Sequence, residues 1–99
     1  MQFQLDSSSS VVSMSGEFTF TDHAQFKLLV TRLFEANGSA VVIDLSKLEF
    51  IDSAGLGMLL LARDEAKKTN RALVLRGPGG QVKRMFGVTK FDTLFDVQE

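Results

Sequence analysis

The sequence predicts an α/β domain: a mixed, mostly parallel β-sheet with an N-terminal hairpin and packed α-helices. Three observations carry this. Short stretches near the start alternate polar and apolar residues, two later runs are continuous and β-branched, and between them lie segments with helical spacing. Strands that alternate with helices after a hairpin form a layered fold whose parallel strands are joined by helical crossovers. At 99 residues the chain is read as one domain, 1–99, since independent domains typically run to about 100–150 residues.

Taken in order, Gln2-Phe3-Gln4-Leu5-Asp6 alternates as a half-buried strand does, and Val11-Val12-Ser13-Met14-Ser15-Gly16 reads as its hairpin partner across a turn at Ser7–Ser10. Thr21-Asp22 offers an N-cap, with Gln25 three residues after Asp22 as in a capping box. Phe26, Leu29, Val30, Leu33 and Phe34 then fall on one helical face, and Asn37-Gly38 supplies a stop. Ala40-Val41-Val42-Ile43-Asp44-Leu45 is a run expected of a strand covered on both faces, with Ser46 to Ile51 as a connection. A helix from Ser53 to Lys68 follows, closed by Lys67-Lys68 at its negative end. Arg71 to Arg76 reads as a further buried strand, Gly77-Pro78-Gly79-Gly80 as a turn, Gln81 to Phe86 as a short helix, and Phe91 to Val97 as a turn of helix with an edge strand.

Composition removes several function classes. There is no cysteine, so thiolate catalysis, disulfides and cysteine-held metal centres are out. The lone histidine, His23, leaves no imidazole pair for a metal or proton relay and is read as a surface residue of the helix start. Eleven Lys and Arg against twelve Asp and Glu give a net charge of −1 and no broad reason to bind nucleic acid. The longest apolar run, Met58 to Ala62, falls far short of the roughly 20 residues that cross a bilayer. The start of the chain has neither a basic segment nor an apolar signal core, so a cytoplasmic domain without membrane insertion is expected. All nine aromatics are Phe, which favours core filling.

The segment Asp52-Ser53-Ala54-Gly55-Leu56-Gly57 is the most informative. Glycine costs up to about 1 kcal/mol in a helix interior, so Gly55 and Gly57 within one turn require a reason. They bare the backbone, either for tight packing on the sheet or for close approach by another surface. Ser53, beside Asp52, sits where free amides and the positive helix end converge; it is either a plain cap or a site for an anion. Leu56, Leu59, Leu60 and Ala66 suffice for a core face, which leaves Met58 and Leu61 either to touch a neighbouring helix or to form an exposed apolar strip near Ser53. Gly77 to Gly80 lacks the Lys-Ser/Thr of a phosphate loop, and Asp44, Glu49 and Asp52 are weak Mg²⁺ candidates; no metal, cofactor or catalytic residue is assigned.

That motif, preceded by Val41-Val42-Ile43-Asp44-Leu45-Ser46 and by Gly16-Glu17, resembles the STAS domain of bacterial anti-sigma factor antagonists over essentially the whole chain. The resemblance implies that Ser53 is a phosphorylatable serine with Asp52 as its acidic neighbour, that Ala54 stands where many members carry a second serine, and that Asp22 matches the acidic residue before the first helix. It implies a non-enzymatic switch. The unphosphorylated form binds an anti-sigma factor that is itself a serine kinase and so releases a sigma factor; a serine phosphatase resets the system. The expected partner surface is Asp22, Asp52, Ser53, Ala54, Gly55, Leu56, Gly57, Met58 and Leu61. The alternative is a STAS regulatory subunit of another pathway, in biofilm or second-messenger control, or of a lipid-transport ATPase.

Overall fold

The computed structural model describes residues 1–6, 10–35 and 40–99; of the expected turn at Ser7–Ser10 all but Ser10 lies outside the described residues, as does the expected helix stop at Asn37-Gly38. Five strands stand side by side in chain order: β1 (Gln2–Leu5), β2 (Val11–Phe18), β3 (Ala40–Ile51), β4 (Ala72–Arg76) and β5 (Asp96–Gln98). β1 runs antiparallel to β2, and each later neighbour is parallel. The three parallel crossovers carry α1 (His23–Glu35), α2 (Ser53–Lys68) and α3 (Gly80–Thr89).

Register explains which side chains meet. Val12, Ile43, Leu75 and Val97 pair across four strands and share one face of the sheet, where the first three are wholly buried. The adjoining row, Gln4, Ser13, Asp44, Arg76 and Gln98, points the other way and is polar. β3 is therefore not covered equally on both faces, contrary to the reading of its apolar run. Val41, Ile43 and Leu45 are buried while Val42 and Asp44 are only half-buried. On the far face Ser46 donates its backbone N–H and hydroxyl to Asp44 Oδ1 (2.9 and 2.6 Å), and Arg76 reaches Asp44 Oδ2 (2.9 Å). Burial tends to raise the Asp44 carboxyl pKa, but these Ser46 and Arg76 interactions outweigh it and hold it below the ordinary value.

The segment Ser46 to Ile51 is not a connection; it continues β3 to a length of 12 residues. Two register slips against β2, between Ser13 and Ser15 and between Gly16 and Glu17, each give β3 one extra residue. They break the two-residue alternation that would have marked the strand. Gly16, at φ +81°, takes up the left-handed conformation at the second slip. Beyond Asp44 the β4 side of β3 is unpaired by a strand, and α3 lies against it. There Gln81 acts as a substitute strand: its Oε1 accepts from the Ile51 N–H and its Nε2 donates to the Ile51 carbonyl, each at 2.9 Å.

The first helix starts differently from the expected Asp22–Gln25 pairing. A 3-10 turn, Phe20–Asp22, precedes α1, and Asp22 accepts at Oδ2 from the N–H of Thr19 (2.8 Å), so the reciprocal cap lies one step earlier. Asp22 is 7% exposed and also accepts at Oδ1 from the Met1 ammonium (2.8 Å). It is a buried, satisfied structural carboxylate rather than a partner-facing one, which corrects the expected assignment. Burial pushes its pKa up, but the ammonium and the Thr19 amide outweigh this and hold it below 3.8. A carboxylate depressed in the folded state stabilises above its unfolded pKa and loses that contribution as pH falls through the folded value. Stability should therefore decline below about pH 4. Asp22→Asn should cost about 1–3 kcal/mol at pH 7 and flatten that decline. Asp44→Asn, whose Arg76 partner is well exposed, should cost no more than about 1 kcal/mol. Urea unfolding across pH 2–7 would measure both; an unchanged acid limb in Asp22→Asn would refute the assignment.

Candidate functional site

The end of β2, the end of β3 and the start of α2 converge on one corner, and glycine makes the convergence possible. A Cβ on Gly55 would stand 2.7 Å from both the Phe18 carbonyl oxygen and Ile51 Cγ1, closer than atoms pack. Gly55 is thus needed for the helix to reach the sheet. Nothing lies within 4 Å of a Cβ on Gly57, which is exposed. The paired glycines divide between the two readings: Gly55 packs on the sheet, and Gly57 bares the helix to solvent.

Asp52 is the N-cap of α2. Its Oδ1 accepts from the Gly55 N–H at 2.7 Å and its Oδ2 from the Phe20 N–H at 3.2 Å, while its own N–H donates to the Phe18 carbonyl at 3.2 Å. Capping is therefore done by Asp52 and not by Ser53. Ser53 is the first residue of the helix, exposed, and its hydroxyl has no hydrogen-bond partner among the described residues. The amides of Ser53 and Ala54 have no acceptor within the helix, as the first turn dictates.

The helix presents Ser53, Gly57 and Leu61 at intervals of four, a single outward stripe of hydroxyl, bare backbone and apolar side chain. Leu61 is 47% exposed, as one reading of its spacing expects. At its far end the stripe meets a groove between α1 and α2, lined by Val30 and Phe34 with Leu61, and rimmed by Lys27, Asp64 and Lys68.

Four residues expected on the partner surface are not on it. Met58 is 3% exposed, and Gly55 and Leu56 are buried, as is Asp22. Met58 packs in the hydrophobic core, and α2 as a whole contacts α1 as well as β3 and β4. Ala54 and Asp52 are half-buried at the rim. Sequence reasoning missed Phe20, whose ring is 71% exposed although its N–H is tied to Asp52. A preference of Phe for cores hid it; its position just ahead of the helix was the available signal. No cluster of three or more His, Cys, Asp or Glu residues suited to a metal occurs among the described residues, and none of their helices is long and apolar enough to cross a membrane.

The chain belongs to the STAS domain family: a family model described as "Mlab, STAS domain" matches residues 1–97. A STAS-domain containing protein of Pseudomonas aeruginosa (strain UCBPP-PA14) is 29% identical over 92 residues, covering 93% of this chain and 90% of that one. Among solved structures, an anti-sigma factor antagonist from Mycobacterium paratuberculosis superposes with a TM-score of 0.80 at 26% identity, covering 98% of this chain and 82% of that one. The phosphorylated form of the Bacillus cell fate determinant SpoIIAA gives 0.70 at 19% identity, covering 97% and 90%. The second of these likenesses concerns the fold alone.

The two glycines should part company on substitution. Gly55→Ala should destabilise by about 1–3 kcal/mol through overpacking, whereas Gly57→Ala should stabilise by up to about 1 kcal/mol through helix propensity. Chemical denaturation measures both, and equal effects would contradict the division. Met58→Glu buries a charge and should abolish cooperative unfolding at 25 °C, seen as loss of near-native circular dichroism; a folded variant would return Met58 to the surface.

Proposed function

We propose that this domain is a regulatory binding module, an anti-sigma factor antagonist that is the substrate of a serine kinase and not itself a catalyst. The observation that carries the reading is the Ser53 hydroxyl: exposed, free of hydrogen bonds among the described residues, and set at the first turn of a helix whose cap is already supplied by Asp52. A serine needed for capping would be engaged; this one is available. The likeness to the Mycobacterium antagonist, at 26% identity over nearly the whole chain, supports the same role.

In this reading an unphosphorylated surface of Ser53, Ala54, Gly57 and Leu61, rimmed by Asp52, docks on an anti-sigma factor that is also a kinase, and a sigma factor is released. Phosphorylation ends docking. The Ser53 Oγ bonds to the terminal phosphorus of ATP held by the kinase, the bond from that phosphorus to ADP breaks, and the hydroxyl proton passes to a base of the kinase. A serine phosphatase hydrolyses the ester and restores the hydroxyl. The phosphate adds a charge of roughly −1.5 to −2 at a helix N-terminus, where it is tolerated. The fold therefore survives, and the cost falls on the interface, where a dianion is desolvated against a surface fitted to a hydroxyl.

A second reading, a STAS subunit of another assembly such as a lipid-transport ATPase, is favoured by one observation: the matching family model is described as a Mlab domain and not as an antagonist. Copurification of a kinase-like anti-sigma factor supports the first; copurification of a transporter ATPase supports the second.

The test is incubation with the neighbouring kinase and ATP, with the modified residue mapped by mass spectrometry. Label on Ser53 is expected; label in Ser7–Ser10 would overturn the site. Ser53→Ala should stay docked and unlabelled. Ser53→Asp should keep its thermal midpoint within a few degrees while binding falls about a hundredfold, or about 2.7 kcal/mol.

A further inference from the structure

Asp52 does two jobs with one carboxylate. Oδ1 satisfies the start of α2 through Gly55, and Oδ2 satisfies the start of the Phe20–Asp22 turn, 32 residues earlier in the chain. The two bonds differ in strength. The Gly55 bond is short, at 2.7 Å, and stands at the positive end of a 16-residue helix; the Phe20 bond is longer, at 3.2 Å, and exposed. The exposed Phe20 is thus tied to the start of α2 by the weaker half of a shared clamp.

We infer that Asp52 is a positioning residue that couples Ser53 to Phe20: a phosphate on Ser53 loosens the Asp52 hold on the Phe20 amide, so one modification alters two parts of the surface. The inference rests on the reading of Ser53 as a phosphorylation site. A phosphate there is the immediate chain neighbour of Asp52, and it competes for the same positive helix end. Like charges so placed repel, and the repulsion is relieved by rotating the carboxylate. The bond that yields is the weaker one. Gly55 keeps an anionic acceptor, from Asp52 or from the phosphate, whereas the Phe20 N–H loses its acceptor, Asp52 Oδ2. The turn itself persists, because Asp22 still holds the Thr19 N–H. What changes is the hold on the exposed Phe20.

The experiment needs no partner. Phosphoserine is installed at position 53 by genetic encoding in ¹⁵N-labelled full chain, and amide shifts and exchange are compared with the unmodified protein. The Phe20 amide should lose its hydrogen-bonded shift and exchange about tenfold faster, as expected for one lost hydrogen bond, while Gly55 stays protected. Asp52→Asn offers one carbonyl oxygen in place of two, so it should move Phe20 in the same direction, and phosphoserine added to it should move Phe20 no further. A Phe20 amide indifferent to phosphoserine overturns the inference, as does a full phosphoserine effect in Asp52→Asn. Should Asp52→Asn fail to fold, the comparison on the parent chain decides alone. Docking on the anti-sigma factor that resists phosphoserine while the Phe20 amide still responds overturns the switch and leaves the coupling standing.

Discussion

The absence of a side chain at Gly55 is the constraint on which the site depends. With a 2.7 Å approach to the Phe18 carbonyl, α2 is held hard against the ends of β2 and β3. Only that closeness lets Asp52 reach the Phe20 amide as well as its own helix. With the cap supplied by Asp52, Ser53 is freed from structural duty. Packing, capping and availability of a hydroxyl are therefore one arrangement seen at three levels.

The same arrangement separates the residues that fix the helix from those that face solvent. Buried residues of α2, including Leu56, Met58 and Leu59, face the sheet and α1 and fix the helix in place. The outward stripe of Ser53, Gly57 and Leu61 contributes little to that fixation. A charge added on the outward stripe meets solvent in the free domain, and its cost is realised only when a second surface excludes water. Chemistry on that stripe can therefore change while the fold does not.

Much of the fold was legible because local signals agreed with the tertiary arrangement. The hairpin, the limits of α2 and the closing strand followed from alternation, glycine placement and charge. The continuation of β3 through Ser46 to Ile51 was not legible: two slips against β2 scramble the alternation, and Lys47 and Glu49 give no strand preference. Spacing alone leaves Met58 open between contact with a neighbouring helix and an exposed strip, because it locates one buried face, while α2 contacts both the sheet and α1. Asp22 stands immediately before α1, and its ion pair with Met1 is long-range and leaves no trace in residue spacing, whereas its cap with Thr19 has the three-residue spacing of a capping box and was open to reading. Ser53 stood out because two glycines in one helical turn demand an explanation, and the structure divides that explanation between packing and exposure.

The Gln81 side chain bound to both polar groups of Ile51 has an effect beyond holding α3 in position. The last residues of β3 extend past the reach of β4 and would otherwise display an open row of backbone donors and acceptors. Such a row recruits foreign strands and seeds edge-to-edge association. By occupying the terminal pair with an amide that is not part of any strand, the domain withholds the Ile51 donor and acceptor from a foreign strand.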